Sequence, residues 1–191
     1  MAHFTIIGTG NMANAIGGVL AEGGSSVSYI SHEQVGEAAL EGDVVVLAVP
    51  HPAIDGILDA YDDQLAGKTI IDITNPLNYE TFDSLVVPAG SSRAAEIQAR
   101  VPGSRVLKAF NTTFAATLAS KLVGGQPTTV LIAGDDVTAK QVLAGAVEAG
   151  GLRALDVGAL SRAHELEAIG FLQITLAAAE KISWTGGFAI L

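Results

Sequence analysis

The stretch HFTIIGTGNMANAIGGVLAEGG, residues 3–24, opens with a short apolar run that leads directly into a turn with two glycines. Residues 4–7 have the composition of a β-strand, and residues 14–22 carry apolar side chains at helical spacing. Gly23 and Gly24 are suited to end that helix. The stretch therefore predicts a strand, a tight turn and a helix in immediate succession.

The turn has the spacing G-x-G-x-x-A, with Gly8, Gly10 and Ala13 at the three defining positions. Gly8 permits a sharp turn, Gly10 lets a pyrophosphate approach the backbone, and Ala13 allows the helix to pack closely on the sheet. The free N–H groups and the positive end of the helix dipole would bind the pyrophosphate. A glycine turn that binds nothing is the alternative, but the flanking strand and helix favour dinucleotide binding.

The composition narrows the class of protein. With 191 residues, 49% of them hydrophobic, the chain has enough apolar side chains for one domain, or one domain with a small cap. The net charge of −10 disfavours nucleic acids and anionic membranes as partners. The uncharged run at residues 168–179 is shorter than the ~20 residues that span a bilayer. Cysteine is absent, so we expect no thiol chemistry, and we predict a cytoplasmic protein without a metal site.

Strand-like and helical segments alternate along almost the whole chain. Further strands are predicted at residues 27–30, 44–49, 68–73, 105–110, 128–133 and 152–157. Further helices are predicted at residues 53–65, 92–100, 113–123, 136–149 and 162–182, whereas the connection before the third strand is too short for a full helix. This alternation predicts an α/β fold with a doubly wound, mainly parallel sheet, the Rossmann arrangement. We assign residues 1–158 to that domain and residues 159–191 to a small helical addition.

The end of the second strand bears on the choice of cofactor. Ser31 and His32 occupy the place where proteins that prefer NAD usually carry a carboxylate. Both side chains can donate a hydrogen bond to a 2′-phosphate, which favours NADP, although no arginine accompanies them. The alternatives are a polar turn without function, or Glu33 reaching back to the ribose and selecting NAD.

Three other segments are candidates for the site or for assembly. His51 follows the third strand and must lie near the crevice where parallel sheets bind ligands. The loop at residues 78–90 is long enough to be a lid or a substrate wall. The uncharged centre of the last helix predicts burial against a second subunit in a homodimer, with burial inside the monomer as the alternative.

Four blocks resemble the coenzyme F420-dependent NADP reductases and their F420-independent relatives. They are GTGNM at residues 8–12, AVP at 48–50, KAFNT at 108–112 and GLRALDVGALSR at 151–162. The resemblance implies a homodimer that binds NADP(H) and transfers hydride to or from a flat small-molecule acceptor, such as a deazaflavin, a flavin or a quinone. It implies cofactor contacts at Gly8, Thr9, Gly10, Asn11, Met12, Ser31, His32, Val49, Pro50, His51, Asn75, Pro76, Ala109, Phe110 and Asn111.

Two other functions compete with this interpretation. The chain could be a non-enzymatic sensor of NADP(H), since no set of residues forms an evident acid–base pair and the catalytic residues cannot be assigned. Hydride transfer to an electrophilic acceptor needs no such pair, because positioning supplies much of the rate. Residues 10–16 also resemble pyrroline-5-carboxylate reductase, an imine reductase, but that enzyme has an all-helical domain where strands continue here.

Overall fold

A seven-stranded sheet forms the centre of the computed structural model, which describes residues 2–191. Within these residues the chain forms nine strands: β1 (His3–Ile7), β2 (Ser26–Ile30), β3 (Val44–Leu47), β4 (Thr69–Asp72), β5 (Arg105–Ala109), β6 (Leu122–Val123), β7 (Gln126–Pro127), β8 (Thr129–Gly134) and β9 (Arg153–Gly158). The sheet order is β2-β1-β3-β4-β5-β8-β9, and β6 and β7 form a separate hairpin. Every neighbouring pair in the sheet is parallel except β5 and β8. The predicted doubly wound, mainly parallel sheet is confirmed.

Helices cover both faces of the sheet. They are α1 (Asn11–Glu22), α2 (Ile54–Ala60), α3 (Asp62–Leu65), α4 (Arg93–Arg100), α5 (Ala115–Ser120), α6 (Val137–Ala149) and α7 (Ala163–Ala178). One apolar core lies under α1, α5 and α6, and a second lies under α2, α3 and α4. All four residues of β3 are buried, as its continuous apolar sequence predicts for a central parallel strand.

Three predicted helices differ in extent from the observed ones, and in two of them a single residue accounts for the difference. The helix predicted at residues 53–65 is interrupted at Tyr61, where φ is −118° and the ring is buried in the core. The helix predicted at residues 113–123 ends at Ser120, because Lys121 adopts a left-handed conformation with φ = 61° and leads into the β6–β7 hairpin. Between β2 and β3 there is only a short 3-10 turn, His32–Gln34, as the length of that segment predicted.

The last helix, α7, is shorter than predicted and ends at Ala178. The monomer buries one side of it, which includes Leu166, Gly170 and Gln173. Its opposite side carries Ile169 and Leu172, which are 37% and 50% exposed. No helix within residues 2–191 combines the length and the apolar character needed to cross a membrane.

Candidate cofactor site and active site

The main cavity, about 440 Å³ in volume, opens at the carboxyl ends of β1, β3, β4 and β5. A crevice in this position is where doubly wound sheets bind their ligands. Its wall consists of Gly10, Asn11, Met12, Ala48, Val49, Pro50, His51, Ile73, Thr74, Asn75, Tyr79, Asn111, Thr113, Phe114, Ile174 and Trp184. Most of these residues belong to the loops that follow the strands, whereas Ile174 comes from α7 and Trp184 from the C-terminal tail.

A second cavity of about 200 Å³ adjoins the first on the side of β2. The glycine turn forms one of its walls, and His32 and Val35 form another. The two cavities share four of their lining residues, Gly10, Ala48, Val49 and Pro50. The two spaces therefore meet at the glycine turn, and an elongated ligand could extend through both.

The glycine turn has the geometry that a pyrophosphate requires. Gly8 has φ = 126°, and a Cβ there would lie 2.2 Å from the carbonyl oxygen of Ala48. A Cβ on Gly10 would meet no protein atom within 4 Å, so this position faces open space. Gly10 is also the N-cap residue of α1, a helix with no side-chain cap and no acidic residue in its first turn. The positive end of the helix dipole thus points at an open space, and the turn fits a dinucleotide.

Two asparagines link the loops after β4 and β5 at the far side of the main cavity. Asn75 Nδ2 donates to the backbone oxygen of Asn111 at 2.8 Å. Asn111 Nδ2 donates to Asn75 Oδ1 and to the backbone oxygen of Leu166, both at 2.8 Å. A Cβ on Gly170 would lie 2.2 Å from Asn75 Oδ1, so only glycine lets α7 approach this pair.

A fully buried ionic cluster lies behind the asparagine pair. Lys108 Nζ is 2.8 Å from both Asp72 Oδ2 and Glu167 Oε1, and all three side chains have no exposed surface. Both oxygens of Glu167 also accept from the backbone N–H of Arg93 at 3.0 Å. Burial raises the pKa of Glu167, and Lys108 opposes that effect. The cluster therefore joins α7 to β4, β5 and the start of α4.

This cluster supports the cavity without lining it. Thr74, which does line the cavity, donates from its N–H and its hydroxyl to Asp72 Oδ1 at 2.8 Å. Lys108 also donates to the backbone oxygen of Thr74. None of the three residues of this cluster was among the predicted site residues. The sequence does contain an indication of the cluster, because Asp72 and Lys108 are charged residues near the ends of two apolar strands. In the sheet, these two residues lie opposite each other on β4 and β5.

Aromatic side chains form two walls of the main cavity. His51 stacks on Tyr79 with ring centroids 6.3 Å apart and an interplanar angle of 15°. Phe114 packs against Trp184 at 4.9 Å and 57°. Burial lowers the pKa of His51, and the charge of Arg93 lowers it further. None of Tyr79, Phe114 and Trp184 was among the predicted site residues, although Tyr79 lies in the loop predicted to form a lid or a wall.

The adenosine end of the site is more exposed. His32 lines the smaller cavity. Ser31 Oγ instead donates to Glu33 Oε2 at 2.7 Å, and this bond lowers the pKa of Glu33. The Ser31 N–H donates to Gln34 Oε1 at 3.0 Å. The hydroxyl that we expected to face a phosphate is therefore already used within the turn.

The structure brings most of the predicted cofactor contacts to the two cavities. Those lining one or both are Gly8, Thr9, Gly10, Asn11, Met12, His32, Val49, Pro50, His51, Asn75 and Asn111. Ser31, Pro76, Ala109 and Phe110 line neither cavity. Ala109 and Phe110 are fully buried because they continue the core of β5 into the turn, and Pro76 is buried as well.

Comparison with known proteins identifies relatives over most of the chain. Residues 28–76 match the family model described as "NADP oxidoreductase coenzyme F420-dependent". The F420-dependent NADP reductase of Methanocaldococcus jannaschii is 32% identical over 154 residues, which cover 78% of this chain and 69% of that protein. The metalloreductase STEAP3 of Rattus norvegicus is 33% identical over 133 residues, covering 70% of this chain but 26% of that protein.

The fold has a full-length match among solved structures. A crystal structure from Arthrobacter sp. FB24, provisionally assigned as an F420-dependent NADP reductase, covers 100% of both chains with a TM-score of 0.85 and 23% identity. The match in fold and the sequence identity to the archaeal enzyme agree with the resemblance predicted from the four sequence blocks. The chain belongs to the family of F420-dependent NADP reductases.

Proposed function

We propose that this protein catalyses hydride transfer between NADP(H) and a flat redox acceptor, and that a deazaflavin of the F420 type is that acceptor. The observation that carries the proposal is the pair of cavities that meet at the glycine turn, of which the larger has two aromatic walls. A dinucleotide needs two compartments joined at its pyrophosphate, and a flat acceptor needs planar walls.

The two cavities suggest how the cofactor lies. The adenosine occupies the smaller cavity beside His32, and the pyrophosphate lies against Gly10 at the N-terminus of α1. The nicotinamide occupies the larger cavity, between the glycine turn and the asparagine pair. The proposed cofactor contacts are the predicted residues that line these cavities, together with Thr74, which we add from the structure.

The protein contributes positioning rather than acid–base chemistry. Bound NADPH supplies the hydride. His51 and Tyr79 on one side, and Phe114 and Trp184 on the other, hold the acceptor plane against the nicotinamide. Ile174 adds an apolar surface that excludes water from the reacting atoms. Holding two reactants in a productive geometry accounts for much of the acceleration of such a reaction.

The active species is proposed to be a cytoplasmic homodimer. On α7, the side that the monomer leaves uncovered carries Ile169 and Leu172, and no charged residue occurs at positions 168–179. Phe188 of the tail adds a further exposed ring, 47% exposed. An apolar surface of this kind suits a second copy of the helix around a two-fold axis. Residues 159–191 would then serve both as the dimer contact and as the cap of the acceptor site.

A turnover assay tests the proposal. Purified protein is mixed with NADPH and, in turn, with F420, FMN and a quinone, while absorbance at 340 nm and 420 nm is followed. We expect F420 to give the highest kcat/KM. If NADPH binds but none of the acceptors is reduced, the protein is a sensor rather than an enzyme. Reduction of a cyclic imine instead of F420 would favour the pyrroline-5-carboxylate reductase alternative.

A further inference from the structure

Asn111 carries a buried acceptor without a donor. The residue is 3% exposed and lines the main cavity, and within residues 2–191 its Oδ1 has no hydrogen-bond partner. The orientation of the amide follows from its neighbours, because Nδ2 faces two oxygens, Asn75 Oδ1 and the backbone oxygen of Leu166. The Asn75 amide is oriented in turn by the backbone oxygen of Asn111. An unpaired buried polar atom is rare and calls for an explanation.

The backbone holds this side chain in one place. Phe110, the residue before it, has φ = 63° although it is not a glycine. The hydroxyl and the N–H of Thr113 both donate to the backbone oxygen of Phe110, at 2.7 and 3.1 Å. Left-handed conformations of this kind persist where the surroundings enforce them, and they concentrate at ligand sites. Asn111 therefore presents its oxygen at a fixed position.

The other polar side chains in this part of the cavity are already paired. The Thr74 hydroxyl donates to Asp72, and the Thr113 hydroxyl donates to Phe110. Asn75 uses both ends of its amide on Asn111. The Asn111 oxygen is thus the group in this region that a ligand donor could satisfy.

From this geometry we infer that Asn111 Oδ1 accepts a hydrogen bond from the carboxamide NH₂ group of the nicotinamide, and so fixes the orientation of the ring. The inference rests on the proposed function, since it places the nicotinamide in the main cavity. The carboxamide is the ring's hydrogen-bond donor, and fixing it determines which face of the ring meets the acceptor. Asn111 would thereby act as a positioning residue for hydride transfer.

The test compares ligands that differ only at this group. Calorimetry measures the binding of NADP⁺ and of its 3-acetylpyridine analogue, in which a methyl group replaces the NH₂. We expect the unmodified protein to bind the analogue about tenfold more weakly, the equivalent of one good hydrogen bond. The Asn111→Leu variant should bind NADP⁺ as weakly as it binds the analogue, so that the difference in affinity between the two ligands disappears. This comparison of two ligands on one protein does not depend on the variant's stability.

A third ligand separates this inference from the proposed function. The compound 2′-phospho-ADP-ribose lacks the nicotinamide, and it should bind equally to the unmodified protein and to Asn111→Leu. Equal binding of NADP⁺ and the acetylpyridine analogue to the unmodified protein would overturn the role of Asn111 and leave the proposed function intact. Failure of all three ligands to bind would overturn the proposed function and the inference with it.

Discussion

The two ends of the candidate cofactor site are built in different ways. At the nicotinamide end, hydrogen bonds join residues far apart in sequence, such as Asn75 with Asn111 and Lys108 with Glu167. Lys108, Glu167 and Asn111 are buried, and Asn75 is half-buried. At the adenosine end, Glu33 is exposed and Ser31 is half-buried, and their side chains bond to each other within one short turn.

The two constructions predict different consequences of substitution. The buried end requires partners on β4, β5 and α7, so a single substitution there disturbs several elements at once. The exposed end depends on a three-residue turn that can change without affecting the core. We expect substitutions at the first end to cost stability or catalysis, and substitutions at the second end to change specificity.

Substitution should have its greatest effect on cofactor binding where the two ends meet. Gly10→Val should abolish NADP(H) binding while the fold is retained, because the side chain would fill the space shared by both cavities. Calorimetry with NADPH and a thermal melt measure the two properties. Gly18→Ala is the matched control, since Gly18 is an exposed glycine of α1 with no atom near its Cβ position. Binding of NADPH to Gly10→Val at the parent affinity would place the pyrophosphate elsewhere.

The buried cluster comes next. Lys108→Met leaves two buried carboxylates without their cation and should lower the free energy of unfolding by about 3–5 kcal/mol. Lys121→Met is the control, because Lys121 pairs with Glu22 at the surface and should contribute less than about 1 kcal/mol. Denaturant titration of both variants makes the comparison. Equal losses of unfolding free energy in the two variants would mean that the buried cluster stabilises the protein no more than a surface ion pair does.

The proposed dimer contact is connected to the nicotinamide end, because α7 contributes residues both to the main cavity and to the exposed apolar side. Leu172→Glu should convert the proposed dimer into monomers or insoluble protein, since a charge would enter an apolar interface. Val142→Glu tests the same change at an exposed apolar residue of α6, and it should leave the assembly unchanged. Light scattering gives the mass of each. A parent protein that is monomeric at every accessible concentration contradicts the dimer.

At the adenosine end we expect a smaller effect on specificity. The parent should bind NADPH about tenfold more tightly than NADH, the effect of one charge-assisted hydrogen bond from His32. Ser31→Asp should reverse that preference by repelling the 2′-phosphate. Glu33→Gln should strengthen it, because it removes the carboxylate that now holds the Ser31 hydroxyl. Titration of each protein with NADPH and with NADH at one salt concentration measures the preference. Tighter binding of NADH than of NADPH by the parent would mean that Glu33 selects NAD.

The smallest effect concerns His51 and pH. Burial keeps the folded-state pKa of His51 below its ordinary value of about 6.5, so the unfolded chain binds more protons between these two values. The free energy of unfolding should therefore rise with pH across that interval and lose this slope in His51→Phe, which keeps a ring against Tyr79. Denaturant titrations from pH 5 to 8 measure the slope. An unchanged slope in the variant would mean that another group titrates there.

Local patterns were sufficient to predict the fold and the strand, turn and helix around Gly8 and Gly10. The strand, turn and helix at residues 3–24 lie in one continuous segment, and their spacing alone indicates a dinucleotide site. The contact between Ser31 and the cofactor stays a prediction, because the hydroxyl can bond either to a ligand or to Glu33, as it does here, and sequence does not distinguish the two. The ionic cluster was missed because its members are 36 and 59 residues apart, so that only the folded sheet brings them together.

A crystal structure of the protein with bound NADP⁺ would locate all three parts of the cofactor. We predict the adenosine in the smaller cavity, the pyrophosphate against Gly10 and the first turn of α1, and the nicotinamide in the larger cavity. Its carboxamide nitrogen should lie about 3 Å from Asn111 Oδ1. A nicotinamide that projects into solvent, or a pyrophosphate bound away from Gly10, would contradict the account.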